Sequence, residues 1–320
     1  TDSVPSYHPI SPPASPPDLL SLVLTLRPAP DADPDTEAPA WWGQASHALL
    51  LEVVRRGDPA LAEALHAGSG PRPFTASSLL GRFPGRRLDP LGSYVLRFTA
   101  VQAPVARLLL EAAGAGGPLA PGSRLELDYR PFVVGAADVR PGEQPRQPTA
   151  APVGPPAGQP WAASASYAEL AAGRLITEAG ARQITLSFTS PTAFRTQERQ
   201  MPLPLPDLVF GSLLERWNAF APLAFPPEAR RYAAECLAIS RFELASRAVP
   251  AKEGGLRVGG VGQATYVSLK YDRYWMGVLQ ALAAFALYSG VGAGTTTGLG
   301  QCRQVSDARR HRPGEEADAA

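Results

Sequence analysis

The chain has 320 residues, a formal net charge of +1 and 45% hydrophobic residues. This length favours two domains, and the near-neutral charge excludes a uniformly basic nucleic-acid binder, so that any such activity must depend on a local basic surface. Its two cysteines, Cys236 and Cys302, lie far apart in sequence, which excludes a disulfide framework and matches no metal-ligand spacing. No metal or other cofactor is expected.

The amino terminus, residues 1–17, is rich in proline and predicts a flexible arm without a visible signal peptide, so a cytoplasmic location is expected. Residues 18–140 are predicted to form the first domain. Strands are predicted at residues 19–26, 74–80, 94–99 and 124–139, and helices at residues 45–55, 59–66 and 105–113. This β-α-β-β-α-β order is typical of ferredoxin-like domains.

A linker is predicted at residues 141–160, where prolines are frequent and apolar periodicity is weak. Residues 161–308 repeat the element order more loosely and are predicted to form a second domain. Its strands are expected at residues 184–188, 237–248, 265–269 and 301–305, and its helices at 208–219 and 274–288. The sequence therefore predicts an α+β fold of two tandem ferredoxin-like (RRM-like, βαββαβ) domains, followed by a charged tail at 309–320.

The apolar segment at residues 276–294 has two interpretations, a membrane span and a buried core helix. Gln280 and several small residues interrupt it, and glycines occupy its end. We therefore expect a buried helix and no membrane partner.

A glycine-rich loop connects the last predicted helix to the last predicted strand. Its five glycines are Gly290, Gly292, Gly294, Gly298 and Gly300. A tight connector needs only one or two, whereas a loop that lets a phosphate or another backbone approach needs more. A Walker loop is excluded because Leu299 follows the last candidate glycine, where a Lys is required, and a dinucleotide fingerprint is excluded because the helix precedes the loop.

The spacing that fits is glycine-hydrophobic-glycine, five residues, and glycine-hydrophobic-glycine again. It resembles the C-terminal signature of the RAMP superfamily of CRISPR-associated RNA-binding proteins. Four segments, residues 43–49, 58–66, 70–75 and 202–218, resemble segments of one RAMP family, the CRISPR precursor-RNA processing endoribonucleases of the sixth CRISPR-associated (Cas) family. Together these stretches span most of the chain from Leu19 to Val305.

The resemblance implies two ferredoxin-like domains side by side, with a CRISPR repeat RNA bound across them and cut once per repeat. It also implies a metal-independent reaction in which the RNA 2′-hydroxyl attacks the adjacent phosphate. The products are then a 2′,3′-cyclic phosphate and a 5′-hydroxyl. Such a reaction needs a base, an acid and positive charge on the phosphorane oxygens.

Histidine suits the acid and base roles because its reference pKa is about 6.5. Two of the four histidines fall in the predicted arm and tail, which leaves His47 and His66. The resemblance implies that His66, just before a glycine-containing loop, is catalytic and that Arg72 aids the phosphate. For His66 and Arg72, an ordinary helix-end histidine and a solvated loop arginine are the structural alternatives.

His47 competes with His66, because some relatives place their catalytic histidine in the helix that contains His47. Relatives with a three-residue site have tyrosine where this chain has Leu51, and His47 lies one helical turn before it. The structural alternative for His47 is a polar helix-start residue. Which histidine is the base and which is the acid stays open.

RNA-binding charge is expected between residues 241 and 310, where Lys and Arg outnumber Asp and Glu. A turn at Gly254 and Gly255 predicts a hairpin that could enter an RNA groove or be simply a solvated tip. The five glycines are candidate RNA-binding residues, together with Arg247, Lys252 and Arg257 around the turn and Lys270 and Arg303 near the glycine loop. Core packing is expected for Trp217, whereas base stacking by Trp41 and Trp42 stays open.

Three functions remain open at this point. The first is the repeat-specific endoribonuclease, with repeat RNA or its processed crRNA as partner and other subunits of a CRISPR effector complex as possible partners. The second is a non-catalytic RAMP subunit of such a complex, which needs the glycine loop but no histidine pair. The third is a general RRM-like RNA-binding protein, which is disfavoured because no aromatic-rich strand motif is present.

Overall fold

A computed structural model of the chain describes residues 17–33, 35–68, 70–139, 161–177, 181–196, 199–251 and 254–305. The predicted linker, the charged tail and nearly all of the predicted arm lie outside these described residues, and so does Lys252.

The first half contains three α-helices and five strands within the described residues. They are β1 (Leu19–Pro28), α1 (Gly43–Gly57), α2 (Pro59–Ala67), β2 (Phe74–Ala76), β3 (Tyr94–Ala100), α3 (Ala103–Ala113), β4 (Arg124–Leu127) and β5 (Arg130–Asp138). All the predicted elements are present, although the strand expected at 74–80 is reduced to β2. Asp58 begins α2 because its Oδ1 accepts from the Leu61 N–H at 2.9 Å, and Pro59 needs no such partner.

The second half contains four α-helices and seven strands within the described residues. They are β6 (Ala163–Ala165), α4 (Tyr167–Ala172), β7 (Gln183–Thr192), β8 (Phe194–Thr196), β9 (Arg199–Met201), α5 (Pro206–Phe220), α6 (Glu228–Cys236), β10 (Leu237–Pro250), β11 (Leu256–Ser268), α7 (Arg273–Ser289) and β12 (Cys302–Val305). A π-helical turn, Gly173–Thr177, follows α4. The sequence did not predict β6, α4, β8, β9 or α6.

The two principal sheets have the same strand arrangement. In the first, the order is β2-β3-β1-β5, with β4 beyond β5, and in the second it is β10-β11-β7-β12. Each half therefore places its first and third principal strands in the centre and its second and fourth outside them, and all these neighbours are antiparallel. The predicted fold of two tandem ferredoxin-like domains is confirmed.

Residues that directly follow the predicted linker contact both domains. Residues Ala163–Ala165 of β6 pair with β1 in the first sheet, with Leu19 opposite Ala165. Directly afterwards, Tyr167 of α4 packs in the core of the second domain and its hydroxyl donates to the Val101 carbonyl at 2.8 Å. Residues 163–167 therefore contact both domains.

Helix α7 is the central element of the second core. It is apolar around most of its circumference, and residues such as Leu279, Leu282 and Phe285 are fully buried. Its one internal amide, Gln280, donates to the Gln183 carbonyl at 2.9 Å and accepts from Gln304. The prediction of a buried core helix is confirmed, and α7 points its C-terminus at the first domain.

No helix in the described ranges combines the length and the apolar character that crossing a membrane requires.

Residues of β3 cap the C-terminus of α7. Thr99 Oγ1 donates to the Tyr288 carbonyl at 2.5 Å, and Arg97 Nη1 donates to the Leu287 carbonyl at 2.9 Å. Arg216 of α5 donates to the next carbonyl, that of Ser289, at 3.1 Å. The last carbonyls of a helix lack intrahelical partners, so these three side chains satisfy them and fix the point where the glycine loop begins.

Candidate nucleic-acid interface

The glycine-rich loop runs from the end of α7 to β12, and its backbone explains why it has five glycines. Their φ angles are +62°, +76°, +77°, +92° and +65° for Gly290, Gly292, Gly294, Gly298 and Gly300. Residues with a Cβ adopt this left-handed region only at a cost of roughly 1–2 kcal/mol each. The backbone conformation of the loop therefore explains why glycine occupies these five positions.

Most of the loop's N–H groups are used inside the protein. Those of Val291 and Gly300 donate to the Gly300 and Pro191 carbonyls at 2.9 and 3.1 Å, and that of Gly292 donates to Ser212 Oγ at 2.9 Å. A Cβ at Gly292 would lie 2.5 Å from the Ala193 carbonyl oxygen. The glycines thus permit close packing of backbone on backbone, and RNA binding by them stays a prediction.

The outer half of the loop docks on the first domain. Trp41 Nε1 donates to the Thr297 carbonyl at 2.8 Å, and a Cβ at Gly43, the first residue of α1, would lie 1.8 Å from that oxygen. Gly298 forms an isolated parallel bridge with Ser77, just after β2. The loop therefore closes a seam between α7 of the second domain and α1 and β2 of the first, which we call the glycine-loop seam.

His47 lies beside this seam. It follows Gly43 by one helical turn, so the two residues are on the same side of α1. Its ring is half-buried and packs on Phe74 of β2, with ring centroids 5.7 Å apart and planes at 34°. An imidazole at the start of a helix is thereby held next to a loop contributed by the other domain.

His66 lies in the last turn of α2 and is exposed. With Leu51 and Glu52 of α1 it lines a groove of about 660 Å³ between the two helices. Hydrogen bonds from Arg55 and then Arg56 lower the pKa of Glu52, so this carboxylate is charged at neutral pH and engages both arginines. Leu51 lines this groove together with His66, and it follows His47 by one turn of α1. The two histidines therefore lie on adjacent surfaces of the α1–α2 pair.

Arg72 supports the helix that contains His66. Its Nη1 donates to the Leu65 carbonyl in the last turn of α2. A guanidinium has five N–H donors, so this bond leaves donors for a phosphate. The predicted catalytic assistance by Arg72 stays a prediction.

The predicted hairpin is present as β10 and β11. Its turn contains Gly254 and Gly255 at φ +86° and +77°. Arg247 lies opposite Gly259, and Val249 lies opposite Arg257, so both arginines are on the same face of the hairpin. This end of the hairpin projects beyond β7, whose last paired residue is Thr192 opposite Gly260.

A basic cleft lies where this hairpin meets the glycine loop. Arg257 of β11 and Arg195 of β8 line it together with Gln200 of β9, and Ala293 and Leu299 form the side given by the glycine loop. The sequence did not indicate Arg195, because β8 and β9 have only three residues each and lack a usable alternation. Arg195 is therefore an additional candidate for RNA binding.

Two other predicted RNA-binding residues lie in different surroundings. Lys270 is exposed just before α7, whereas the glycine loop follows that 17-residue helix, so the two are roughly 25 Å apart along the helix axis. The expectation that Lys270 lies near the loop is wrong. Arg303 is close to the loop but only 3% exposed, with its guanidinium 4.8 Å from the Trp161 ring centroid; RNA contact by Arg303 stays a prediction.

The tryptophans left open by the sequence have structural contacts. Trp217 is in the second core, as predicted, and stacks on Phe225 with ring centroids 4.6 Å apart. Trp42 is 2% exposed in the first core, and Trp41 holds the glycine loop. In the described part of the chain, no three His, Cys, Asp or Glu side chains cluster as a metal site requires.

Two ferredoxin-like domains, with a glycine-rich loop that follows the last helix and contacts the first domain, form the arrangement that the resemblance to RAMP proteins implies. A family model for the CRISPR-associated endoribonuclease Cas6 matches residues 186–302, which contain most of the second domain and the whole loop. A comparison with curated protein sequences finds no significant match.

Solved Cas6 structures resemble nearly the whole chain. A Cas6 product complex is 26% identical with a TM-score of 0.68, and a Cas6 substrate-mimic complex is 26% identical with a TM-score of 0.64; each alignment covers 90% of this chain and 99% of the other. A Thermus thermophilus Cas6 is 25% identical with a TM-score of 0.61, covering 90% and 98%. These findings confirm the predicted resemblance to the Cas6 processing proteins of the RAMP superfamily.

Proposed function

We propose that this protein is an endoribonuclease that binds CRISPR repeat RNA and cleaves the precursor transcript once per repeat. The observation that carries the proposal is the glycine-loop seam, which places the RAMP-type loop of one domain against the histidine-bearing helix of the other. The likeness to Cas6 proteins solved with product and with a substrate mimic supports it.

The proposed reaction is an internal transesterification. The 2′-hydroxyl oxygen attacks the adjacent phosphorus while a base accepts its proton, and the bond from phosphorus to the 5′-oxygen breaks as an acid protonates that oxygen. The products are a 2′,3′-cyclic phosphate and a 5′-hydroxyl. All participating atoms come from the RNA and two proton-transfer groups, so the scheme calls for no metal ion.

His47 and His66 are the proposed proton-transfer groups, and Arg72 is the proposed phosphate partner. The position of His47 supports it as the stronger candidate, since its ring is held by Phe74 and lies beside the glycine-loop seam. A fixed imidazole loses less freedom on reaching the reactive geometry than an exposed one. One of the similar solved structures is a Cas6 variant in which a histidine is replaced by alanine.

The deciding experiment is incubation with a synthetic repeat RNA in EDTA under single-turnover conditions. We expect one cut, and a downstream fragment that polynucleotide kinase labels without prior phosphatase treatment, because its 5′-end is a hydroxyl. The upstream fragment should resist 3′-end ligation until its cyclic phosphate is opened and the remaining phosphate is removed. Tight binding without a cut, both with and without Mg²⁺, would contradict the proposed enzyme and support a non-catalytic RAMP subunit.

RNA binding should depend on the basic cleft at the hairpin base. Replacing Arg195 and Arg257 together by glutamine is expected to flatten the slope of log affinity against log salt by about 1–2, because each lost phosphate contact removes about 0.7–0.9 from it. Filter binding at several salt concentrations measures this slope.

Lys270→Gln is the matched control, because it removes one exposed positive charge at the opposite end of α7. Its salt slope should equal that of the wild type. An unchanged slope in the double variant would remove the cleft from the RNA path. A flattened slope in the control would move the path toward the start of α7.

A further inference from the structure

A network of buried polar side chains lies where β3, the end of the glycine loop and Trp161 meet. Arg97 of β3 donates from Nε to Oε1 of Gln301 and from Nη1 to Oγ of Ser21, each at 3.0 Å. Ser21 Oγ in turn donates to the Trp161 carbonyl oxygen at 2.5 Å. The network therefore connects the first domain, the residue after the glycine loop and the first residue after the predicted linker.

The charge in this network is positive. Arg97 is 4% exposed, its hydrogen-bond partners are neutral oxygens, and no carboxylate among the described residues pairs with it. Arg303 is a second buried guanidinium, and the two lie 4.7 and 4.8 Å from the ring centroid of Trp161. For Arg97, the cation–π contact offsets only part of the cost of burying its charge.

Burial lowers the pKa of Arg97 to about 9, and the charge of Arg303 acts in the same direction. Arg97 is nevertheless protonated at neutral pH. The protein therefore holds a buried cation between its two domains.

The atoms that have no hydrogen-bond partner in this network are all donors. They are Nη2 of Arg97, Nε2 of Gln301 and Nε1 of Trp161, and each atom is buried. The assignment of the Gln301 amide is fixed by its Oε1, which accepts from Arg97. A buried donor without an acceptor is unfavourable, and a water molecule would add donors as well as lone pairs. A negatively charged acceptor satisfies such a set better.

We propose that this network binds a small inorganic oxyanion of the phosphate or sulfate type between the two domains. The oxygens of such an ion match the fork of a guanidinium and accept from amide and indole N–H groups. Arg97 and Gln301 are at most 5% exposed, which fits a small ion better than a polymer. The ion would tie β3 to the end of the glycine loop and stabilise the docked position of the second domain.

The test is calorimetric titration of the full-length protein with inorganic phosphate at constant ionic strength, with chloride as the balancing anion. We expect a saturable one-site heat and a saturable rise of the melting temperature; general exclusion of phosphate from protein surfaces would instead raise it without saturation. Absence of a saturable heat in the wild-type protein overturns the proposal.

Gln301→Glu is the informative variant. Its carboxylate can still accept from Arg97, but it removes the Nε2 donor and supplies the negative charge internally. Its dissociation constant for phosphate should rise at least about tenfold, which corresponds to about 1.4 kcal/mol. Gln280→Glu is the matched control at a buried glutamine whose amide atoms both have protein partners, and it should retain the affinity of the wild type. Equal affinity in the wild type and Gln301→Glu places the ion elsewhere and overturns the proposal.

The same titration on protein saturated with repeat RNA identifies the source of the oxyanion, using RNA that carries a 2′-deoxynucleotide at the cleavage site. Phosphate binding that persists, the expected result, supports a site for a free ion. Phosphate binding that disappears supports the same site occupied by a phosphodiester of the RNA. The wild-type titration without RNA decides whether the site exists and does not depend on the proposed nuclease activity.

Discussion

Replacing His47 by alanine is expected to lower the single-turnover rate of repeat-RNA cleavage by about 100- to 10,000-fold, the usual loss when a general acid or base is removed. The affinity for the RNA should change little, because His47 is one half-buried side chain beside the glycine-loop seam and the basic cleft lies on the second domain. The measurement is cleavage at saturating protein, with binding measured separately on RNA that is blocked by a 2′-deoxynucleotide.

His66→Ala is the matched comparison on the neighbouring helix. A similar loss in both variants assigns the acid and the base to the two histidines. The pH–rate profiles of the two variants then separate the roles, because loss of the base removes the acidic limb and loss of the acid removes the alkaline limb. A loss in His66→Ala alone would place the scissile phosphate in the groove between α1 and α2. Wild-type rates in both variants would contradict the proposed catalytic site as a whole.

The fold could be predicted because its signals are local. Residue Asp58 followed by Pro59 marks the start of α2, and the glycine pair at 254 and 255 marks the hairpin turn. Helix α6 gave only a short signal, since Ala229, Tyr232 and Ala233 have the spacing of a helix face but its nine residues contain just one such set. Strand β6 was not predictable, because its pairing with β1 joins residues about 140 positions apart.

The strand predicted at residues 74–80 shows how a contact between domains limits such inference. Only Phe74–Ala76 pair with β3 as a regular strand. Ser77 still donates its N–H to the Arg97 carbonyl at 2.8 Å, but the Arg97 N–H donates to Ser77 Oγ, and Ser77 forms a bridge with Gly298 of the glycine loop. The local alternation of residue types contains no information about a loop more than two hundred residues later. The error in the strand and the location of the glycine-loop seam therefore have the same physical origin.

The candidate site was predictable in its residue types and not in its arrangement. The number of glycines indicated that another backbone segment comes close to the loop, but it did not indicate which segment of the chain this is. The structure identifies it as the first turn of α1, next to His47, together with the backbone around Ala193. Arg195 was not predicted for a related reason, since its position beside Arg257 depends on how the short β8–β9 hairpin packs against the glycine loop.

The glycine-loop seam leads to a prediction at a residue that has no side chain. Gly43→Ala would usually stabilise the protein, since alanine is favoured over glycine in helices by about 1 kcal/mol. Here the new Cβ would lie 1.8 Å from the carbonyl oxygen of Thr297, and a backbone atom can move away only if the loop leaves α1. We expect a net loss of about 1–3 kcal/mol in the free energy of unfolding, as for other overpacked sites.

The larger effect is expected on cleavage. A displacement of about 1 Å between reacting groups can cost about a hundredfold in rate, so Gly43→Ala should cut repeat RNA about 10- to 100-fold more slowly although both histidines are intact.

Gly57→Ala, at the other end of α1, is the matched control. Its Cβ would meet only the Cδ2 of Leu108 at 2.7 Å, the end of a side chain that can rotate away. Near-wild-type cleavage by Gly57→Ala together with slow cleavage by Gly43→Ala would assign the loss to the seam rather than to helix composition. A wild-type rate in Gly43→Ala would mean that docking of the loop on α1 does not position the reacting groups, and the two domains would then have to be aligned by the bound RNA itself.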